Sequence, residues 1–278
     1  SPDSVTFLCV LKACGTIGCF NVMEEIEAYI REVRLMAKQH ILVGTALMDM
    51  YAKCGAMEKA LEVFQDLPVP TLASCNALIV GYVQNGLNEE ALSFFHCMRY
   101  KSIIPDSITF SCILKACAIV GCIDIGEIID IKVRKQGLLQ RDIVVGTALV
   151  DMYSNCGSLL EARETFDHLK DQDIISWNAL ISGYAQYPLS GHGALHCFVQ
   201  MRIEGIPPDP ITFTSVLKVC GMRGDSDKGE EIHDEIIDRC LLDTDVLLGN
   251  SLVDMYAKCG KLSKAEEVHS KLRYRDVV

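Results

Sequence analysis

The chain repeats itself at a fixed interval, and that period limits its fold more than any other feature. LKAC occupies residues 11–14 and 114–117, and LKVC occupies 217–220. DMY recurs at 49–51, 151–153 and 254–256, and Pro-Asp recurs at Pro2-Asp3, Pro105-Asp106 and Pro208-Asp209. NALI with a following GY appears at 76–82 and again at 178–184. Unrelated strings spaced by 102 or 103 residues imply a long repeat, so the chain is expected to be built of similar units that stack on their neighbours.

Each long repeat divides into three. The boundaries are 4–40, 41–71, 72–106, 107–142, 143–173, 174–209, 210–245 and 246–276, giving units of 31 to 37 residues. The first half of a unit keeps apolar residues at three-and-four spacing, as in Ala46, Leu47, Met50 and Tyr51. Cys54-Gly55, Cys156-Gly157 and Cys259-Gly260 supply a glycine for a left-handed helix end. An amphipathic stretch follows: KALEVF at 59–64, EARETF at 161–166, KAEEVH at 264–269. Ser158 and Ser263 stand where a hydroxyl is expected to cap the second helix. Every unit therefore reads as a helix–turn–helix hairpin whose two helices cannot bury their apolar faces alone. Eight hairpins give about sixteen helices in one superhelical array over residues 1–278, rather than two globular domains.

Half of the residues are hydrophobic and 23% are charged, which excludes a disordered chain. Lys plus Arg number 26 against 37 Asp plus Glu, a net charge of −11. That balance argues against a generic, salt-driven hold on DNA while leaving room for reading a nucleic acid through a few local contacts. The uncharged stretch from Leu67 to Asn88 is long enough to span a bilayer, but Pro68, Pro70, Asn76, Gln84 and Asn85 make a lipid-exposed helix a poor reading. No amino-terminal signal is visible, and a start at Ser1-Pro2-Asp3 reads as a piece of a longer protein.

Fourteen cysteines raise the question of disulfides or zinc. Cys14, Cys117 and Cys220 share one slot of the long repeat, and Cys54, Cys156 and Cys259 share another. Twins about three hairpins apart are too distant to cross-link, and no Cys-x-x-Cys occurs, so packing is the expected role. His192 and His196 are too few ligands for a structural zinc, and a solvated helix is expected there. His233-Asp234-Glu235 matches half of a deaminase zinc motif without the downstream cysteines. No cofactor, metal or catalytic residue is expected, and the chain is not expected to be an enzyme.

The tetratricopeptide Trp/Leu-Gly/Tyr signature and the ankyrin Thr-Pro-Leu-His string do not recur. SWNALISGYAQ (176–186), GIPPDPITFTSVLKVC (205–220) and LLGNSLVDMYAKCG (247–260) closely resemble the plant pentatricopeptide repeat family. The alternation of unit lengths resembles its PLS subclass. On that resemblance 72–106 and 174–209 are ordinary P units, 4–40, 107–142 and 210–245 long L units, and 41–71, 143–173 and 246–276 short S units. It implies an all-α, right-handed superhelical solenoid of tetratricopeptide-like architecture.

The resemblance also implies a binding surface: the fifth and last residues of each repeat face one RNA base. Carried over, the pairs are Asn76/Asp106 and Asn178/Asp209 in P units, and Thr45/Thr71, Thr147/Asp173 and Asn250/Asp276 in S units. In L units they are Leu8/His40, Ser111/Asp142 and Thr214/Asp245. Without the family, Asn, Thr and Asp at these places read as helix caps. The fifth slot changes among Asn, Thr and Ser while its neighbours stay apolar, which a pure cap does not need. The second residue is implied to wedge between bases: Val5, Leu42, Ile108, Val144, Ile175, Ile211 and Leu247, with Ala73 offering little surface. Lys53 and Lys258 match a position near the phosphates, where the middle S unit has Asn155.

Two functional readings follow. One is a sequence-specific single-stranded RNA binder that specifies C-to-U editing or processing sites in mitochondrial or chloroplast transcripts. Small editing-factor proteins are implied as further partners, docking at L units. The other is a protein-binding helical scaffold, favoured by the acidic balance and the off-pattern pairs Leu8/His40 and Thr45/Thr71.

Overall fold

A computed structural model describes residues 6, 9–11, 13, 25–28, 37–243 and 245–273, with 37–40, 243 and 273 described by their backbone alone. Helix is the only regular secondary structure among the described residues, and none of these helices is long and apolar enough to cross a membrane. The chain forms two compact units, Ser1–Ile131 and Lys132–Val278.

In the first unit the bounded helices are α1 (Ala37–Lys53), α2 (Met57–Gln65), α3 (Leu72–Gln84), α4 (Asn88–Tyr100) and α5 (Ser107–Val120). Helix α6 (Ile123–Lys135) runs across the boundary. The second unit continues with α7 (Ile143–Asn155), α8 (Leu159–Asp167), α9 (Ile174–Gln186), α10 (Gly191–Ile203), α11 (Pro210–Arg223), α12 (Ser226–Asp238), α13 (Val246–Lys258) and α14 (Leu262–Arg273). Within each unit, first helices pack on their second helices, as α1 on α2, α3 on α4, α7 on α8, α9 on α10, α11 on α12 and α13 on α14, and on the next first helix. Thus α3 lies between α1 and α5 in one unit, and α7, α9, α11 and α13 follow one another in the second. This is the stacked-hairpin order expected from the repeats.

The core explains the patterning. Trp177 is fully buried with its ring 4.5 Å from Phe166 in an edge-on pair, and Phe198 meets Phe213 in the same manner at 6.2 Å. First helices approach closely at the glycine of the GY strings. A Cβ built on Gly183 would stand 2.3 Å from the Cβ of Ser154, and one on Gly81 would stand 2.6 Å from the Cβ of Ala52. Between hairpin helices, Gly157 and Gly260 adopt φ of 83° and 73°, the left-handed turn expected of Cys-Gly.

Two local expectations fail. Ser158 occupies the start of α8, but its hydroxyl makes no capping bond, because ψ of 65° turns it out of the extended geometry a cap requires. Ser263 lies inside α14 and not before it. Helix α1 begins at Ala37, four residues ahead of the boundary at 41. At the equivalent helices α7 and α13, Asp142 and Asp245 stop the helix by accepting backbone N–H bonds, and His40 stands in that place before residue 41.

Candidate nucleic-acid interface

The last residue of each described repeat starts the next first helix. Thr71 accepts from the Ser74 N–H at 3.2 Å, Asp173 from Ser176 at 2.8 Å and Asp245 from Leu248 at 3.0 Å. Asp142 accepts from Val144 and Val145 at 3.1 and 3.4 Å. The capping role is therefore real. Asp106 and Asp209 do more.

Asn76 Nδ2 donates to both carboxylate oxygens of Asp106, at 3.0 and 3.1 Å. Its Oδ1 accepts the Thr109 hydroxyl at 2.6 Å. Thr109 also donates its N–H to Asp106 Oδ1 at 2.9 Å, and the Asp106 N–H returns a bond to Thr109 Oγ1 at 3.3 Å. The second unit repeats this cluster. Asn178 Nδ2 donates to Asp209 at 3.0 Å twice, and Thr212 donates its hydroxyl to Asn178 Oδ1 at 2.6 Å. Asn76 and Asn178 are each 8% exposed, and these internal bonds use one N–H and one carbonyl lone pair of each side chain. Burial alone would raise the Asp106 carboxyl, but the bonds from the Thr109 N–H, the Asn76 amide and the Thr109 hydroxyl prevail and hold it below its ordinary value.

Among the described residues, Thr45, Ser111, Thr147 and Thr214 lack this arrangement. The Thr45 hydroxyl turns back to the Ile41 carbonyl at 2.7 Å, and the Ser111 hydroxyl to the Ile108 carbonyl at 3.1 Å. Thr147 and Thr214 are half-buried, and no hydrogen bond joins them to Asp173 or Asp245 among the described residues. Asn250 is exposed. Val5, Leu8 and Asp276 lie outside the described residues, as does the side chain of His40.

The second positions are the clearest surface feature. Leu42, Ile108, Val144, Ile175, Ile211 and Leu247 are all between 54% and 74% exposed, although each sits on a helix whose inner face is packed, Leu42 in the second turn of α1 and the others in the first turn of theirs. An aliphatic side chain left in water at one register, repeat after repeat, is not explained by the core. Ala73 is exposed too but small.

Lys53 and Lys258 are committed to ion pairs with Asp49 and Asp254 on their own helices, both at 2.6 Å and half-exposed. Such pairs are weak and exchangeable, worth roughly 0.3–0.5 kcal/mol. Asn155 takes the same shape, donating to the Asp151 carbonyl and carboxylate at 2.8 and 2.9 Å. Two further cations lie outside the positions marked by the resemblance. Lys115 and Lys218 are exposed four residues beyond Ser111 and Thr214, a spacing that shares a helix face.

No group of His, Cys, Asp or Glu that could hold a metal occurs among the described residues. The twelve described cysteines are free, and burial raises Cys75 to about 11 and Cys220 to about 12. His192 and His196 are exposed. His233 is half-buried with Nδ1 2.8 Å from the Tyr256 hydroxyl.

The PPR repeat family matches at residues 70–119 and 172–222, and the PPR repeat at 45–68, 147–174, 211–241 and 250–277. The chloroplastic pentatricopeptide repeat-containing protein At1g15510 of Arabidopsis thaliana is 35% identical over the whole chain, which spans 31% of that protein. The mitochondrial At3g09040 of the same plant is 33% identical over 99% of the chain, which spans 26% of it. Among solved structures, PPR10 in complex with an 18-nt psaJ RNA element superposes over the whole chain with a TM-score of 0.72 at 20% identity, covering 46% of PPR10. With matches across more than half of its length and the hairpin stack in place, the chain belongs to the pentatricopeptide repeat family.

Proposed function

We propose that the chain is a sequence-specific reader of single-stranded RNA, one base per repeat. The carrying observation is the recurrence of an exposed aliphatic residue at the second position beside a polar fifth residue on the same first helix. Aliphatic wedges suit the faces of unstacked bases, and an amide or hydroxyl beside them suits a base edge. Asn76 and Asn178 each retain one amide N–H and one carbonyl lone pair, a donor beside an acceptor that complements uracil. Thr147, shorter, leaves room for a purine. The relationship to PPR10, described with a bound RNA element, supports the reading.

On the same reading the chain belongs to the PLS subclass and is the targeting part of an organellar factor. It specifies C-to-U editing or processing sites in chloroplast or mitochondrial transcripts, and its L units dock small editing-factor proteins. The names of the relatives, some chloroplastic and one mitochondrial, support an organellar setting. The protein-scaffold reading draws support from the net charge of −11 and from the neutralised Lys53 and Lys258.

The preferred core is 5′-purine-U-any-G-U-any-U-3′, the amino-terminal repeat lying nearest the 5′ end. Fluorescence anisotropy with this RNA, a scrambled RNA and the DNA of the same sequence separates the readings. Preference for the first RNA, weakening as salt rises, is the expected result. Equal or absent binding of all three would leave the scaffold.

A further inference from the structure

We propose that Thr212, and Thr109 in the equivalent place, determine base specificity as positioning residues: each hydroxyl, supplied by the following repeat, fixes the orientation of the Asn amide that reads the base. The proposal rests on the RNA-reading function proposed above.

The hydrogen-bond arithmetic is closed. Thr212 Oγ1 accepts the Asp209 N–H at 3.2 Å, so its single hydrogen is left to donate. That hydrogen faces Asn178 Oδ1 at 2.6 Å and Asp209 Oδ1 at 2.9 Å, and the nearer acceptor is the amide. Asn178 Nδ2 stands at equal distance from both Asp209 oxygens, the geometry of one N–H directed between them. The other N–H diverges by the trigonal angle and is left over, together with one lone pair of Oδ1. Flipping the amide would set its oxygen against the carboxylate and its N–H against the hydroxyl hydrogen. Asp209 and Thr212 therefore allow one order of donor and acceptor.

That order separates uracil from cytosine. Both pyrimidines offer a donor beside an acceptor, but in opposite sequence along the edge. An amide free to turn over can serve both; a locked one serves one. Asp209 holds only the nitrogen end, so the oxygen end needs its own partner, and Thr212 is the described residue that bonds it.

The junctions differ in this respect. At both P-to-L junctions the third residue is threonine, and the 2.6 Å bond occurs in both units of the chain. At S-to-P junctions it is Ser74 or Ser176, whose hydroxyl donates to the carbonyl of Thr71 or Asp173 and not to a reading side chain. At L-to-S junctions it is Val145 or Leu248, with no hydroxyl to offer.

The test uses the full chain, its Thr212→Val and Thr212→Ser variants, and RNAs differing only by U or C opposite Asn178. Valine keeps the branched shape without the hydroxyl, and serine restores the hydroxyl. The expected result is that Thr212→Val narrows the U-over-C ratio of affinities by roughly threefold or more, the scale of one hydrogen bond, and that Thr212→Ser recovers it. Equal weakening of both RNAs, or an unchanged ratio, would overturn the proposal and leave Thr212 as a helix cap. A wild-type chain indifferent to U and C would overturn the base-reading function itself, which the wild-type arm reports separately. Emission from Trp177, the sole tryptophan and fully buried, verifies that each variant is folded. Should Thr212→Val unfold the second unit, Thr109→Val reads the same ratio opposite Asn76.

Discussion

Replacing Gly183 by alanine tests the close approach that spaces the fifth residues of neighbouring first helices. Gly183 lies on α9 with Asn178, and Ser154 on α7 with Thr147, so their contact holds neighbouring first helices together. A methyl on Gly183 would fall 2.3 Å from Ser154 Cβ, 2.5 Å from its Oγ and 3.3 Å from its Cα. A Cβ cannot rotate away, so α7 and α9 must part by about 1 Å to restore ordinary contact. Overpacking of this kind costs about 1–3 kcal/mol, and the rigid contact places it toward the upper end. Alanine returns about 1 kcal/mol through its helix propensity. The net loss is about 1–2 kcal/mol, which lowers the melting temperature by roughly 2–8 °C for a unit of this size. Melting followed by Trp177 fluorescence measures it, and the cost should vanish when Gly183→Ala is placed in a Ser154→Gly background. A Gly183→Ala chain as stable as wild type, or a cost unchanged in that background, would refute the packing argument.

Two further outcomes follow from buried groups. At mildly alkaline pH in the native state, an aromatic disulfide reagent should modify exposed Cys97 and Cys240 while sparing Cys75 and Cys220, whose thiols burial holds near 11 and 12. In denaturant without reductant all fourteen should titrate, and missing thiols or stoichiometric zinc would contradict the packing role. Asp106 has a folded-state pKa below the ordinary 3.8, so its ionised form stabilises the first unit above that value. The contribution is lost as pH falls through the folded-state value. The melting difference between wild type and Asp106→Asn should thus be present at neutral pH and disappear in acid, and a difference that grows in acid would reverse the assignment.

The hairpins were legible because their punctuation is chemical. Gly157 and Gly260 turn left-handed where the Cys-Gly strings require it, and Asp106, Asp173 and Asp209 begin helices where the repeats end. Where the punctuation changes, the reading slips: His40 replaces the capping aspartate, and α1 starts early. Ser158 has cap chemistry but not the backbone dihedral to use it. At the interface, the resemblance paired Asn76 with Asp106 and Asn178 with Asp209, and both pairs are bonded. The third partners, Thr109 and Thr212, are not marked by the fifth and last positions alone. Their spacing, Asp106-Ser-Ile-Thr109 and Asp209-Pro-Ile-Thr212, is that of a reciprocal cap, and only the fold brings the hydroxyl onto the preceding repeat's asparagine. Likewise Asp49 and Asp254 belong to the repeated DMY strings, and the ion pairs they form with Lys53 and Lys258 one turn later lie outside that pattern.

The central claim is that the fifth side chain reads a base, and replacing Asn178 by threonine tests it most directly. Affinities are measured for RNAs carrying U or G opposite that repeat. A reading slot predicts that preference swings from U toward G by about 1–3 kcal/mol, the scale of base-edge discrimination. Equal loss of both RNAs would contradict it, showing that Asn178 serves only its buried bonds to Asp209 and Thr212.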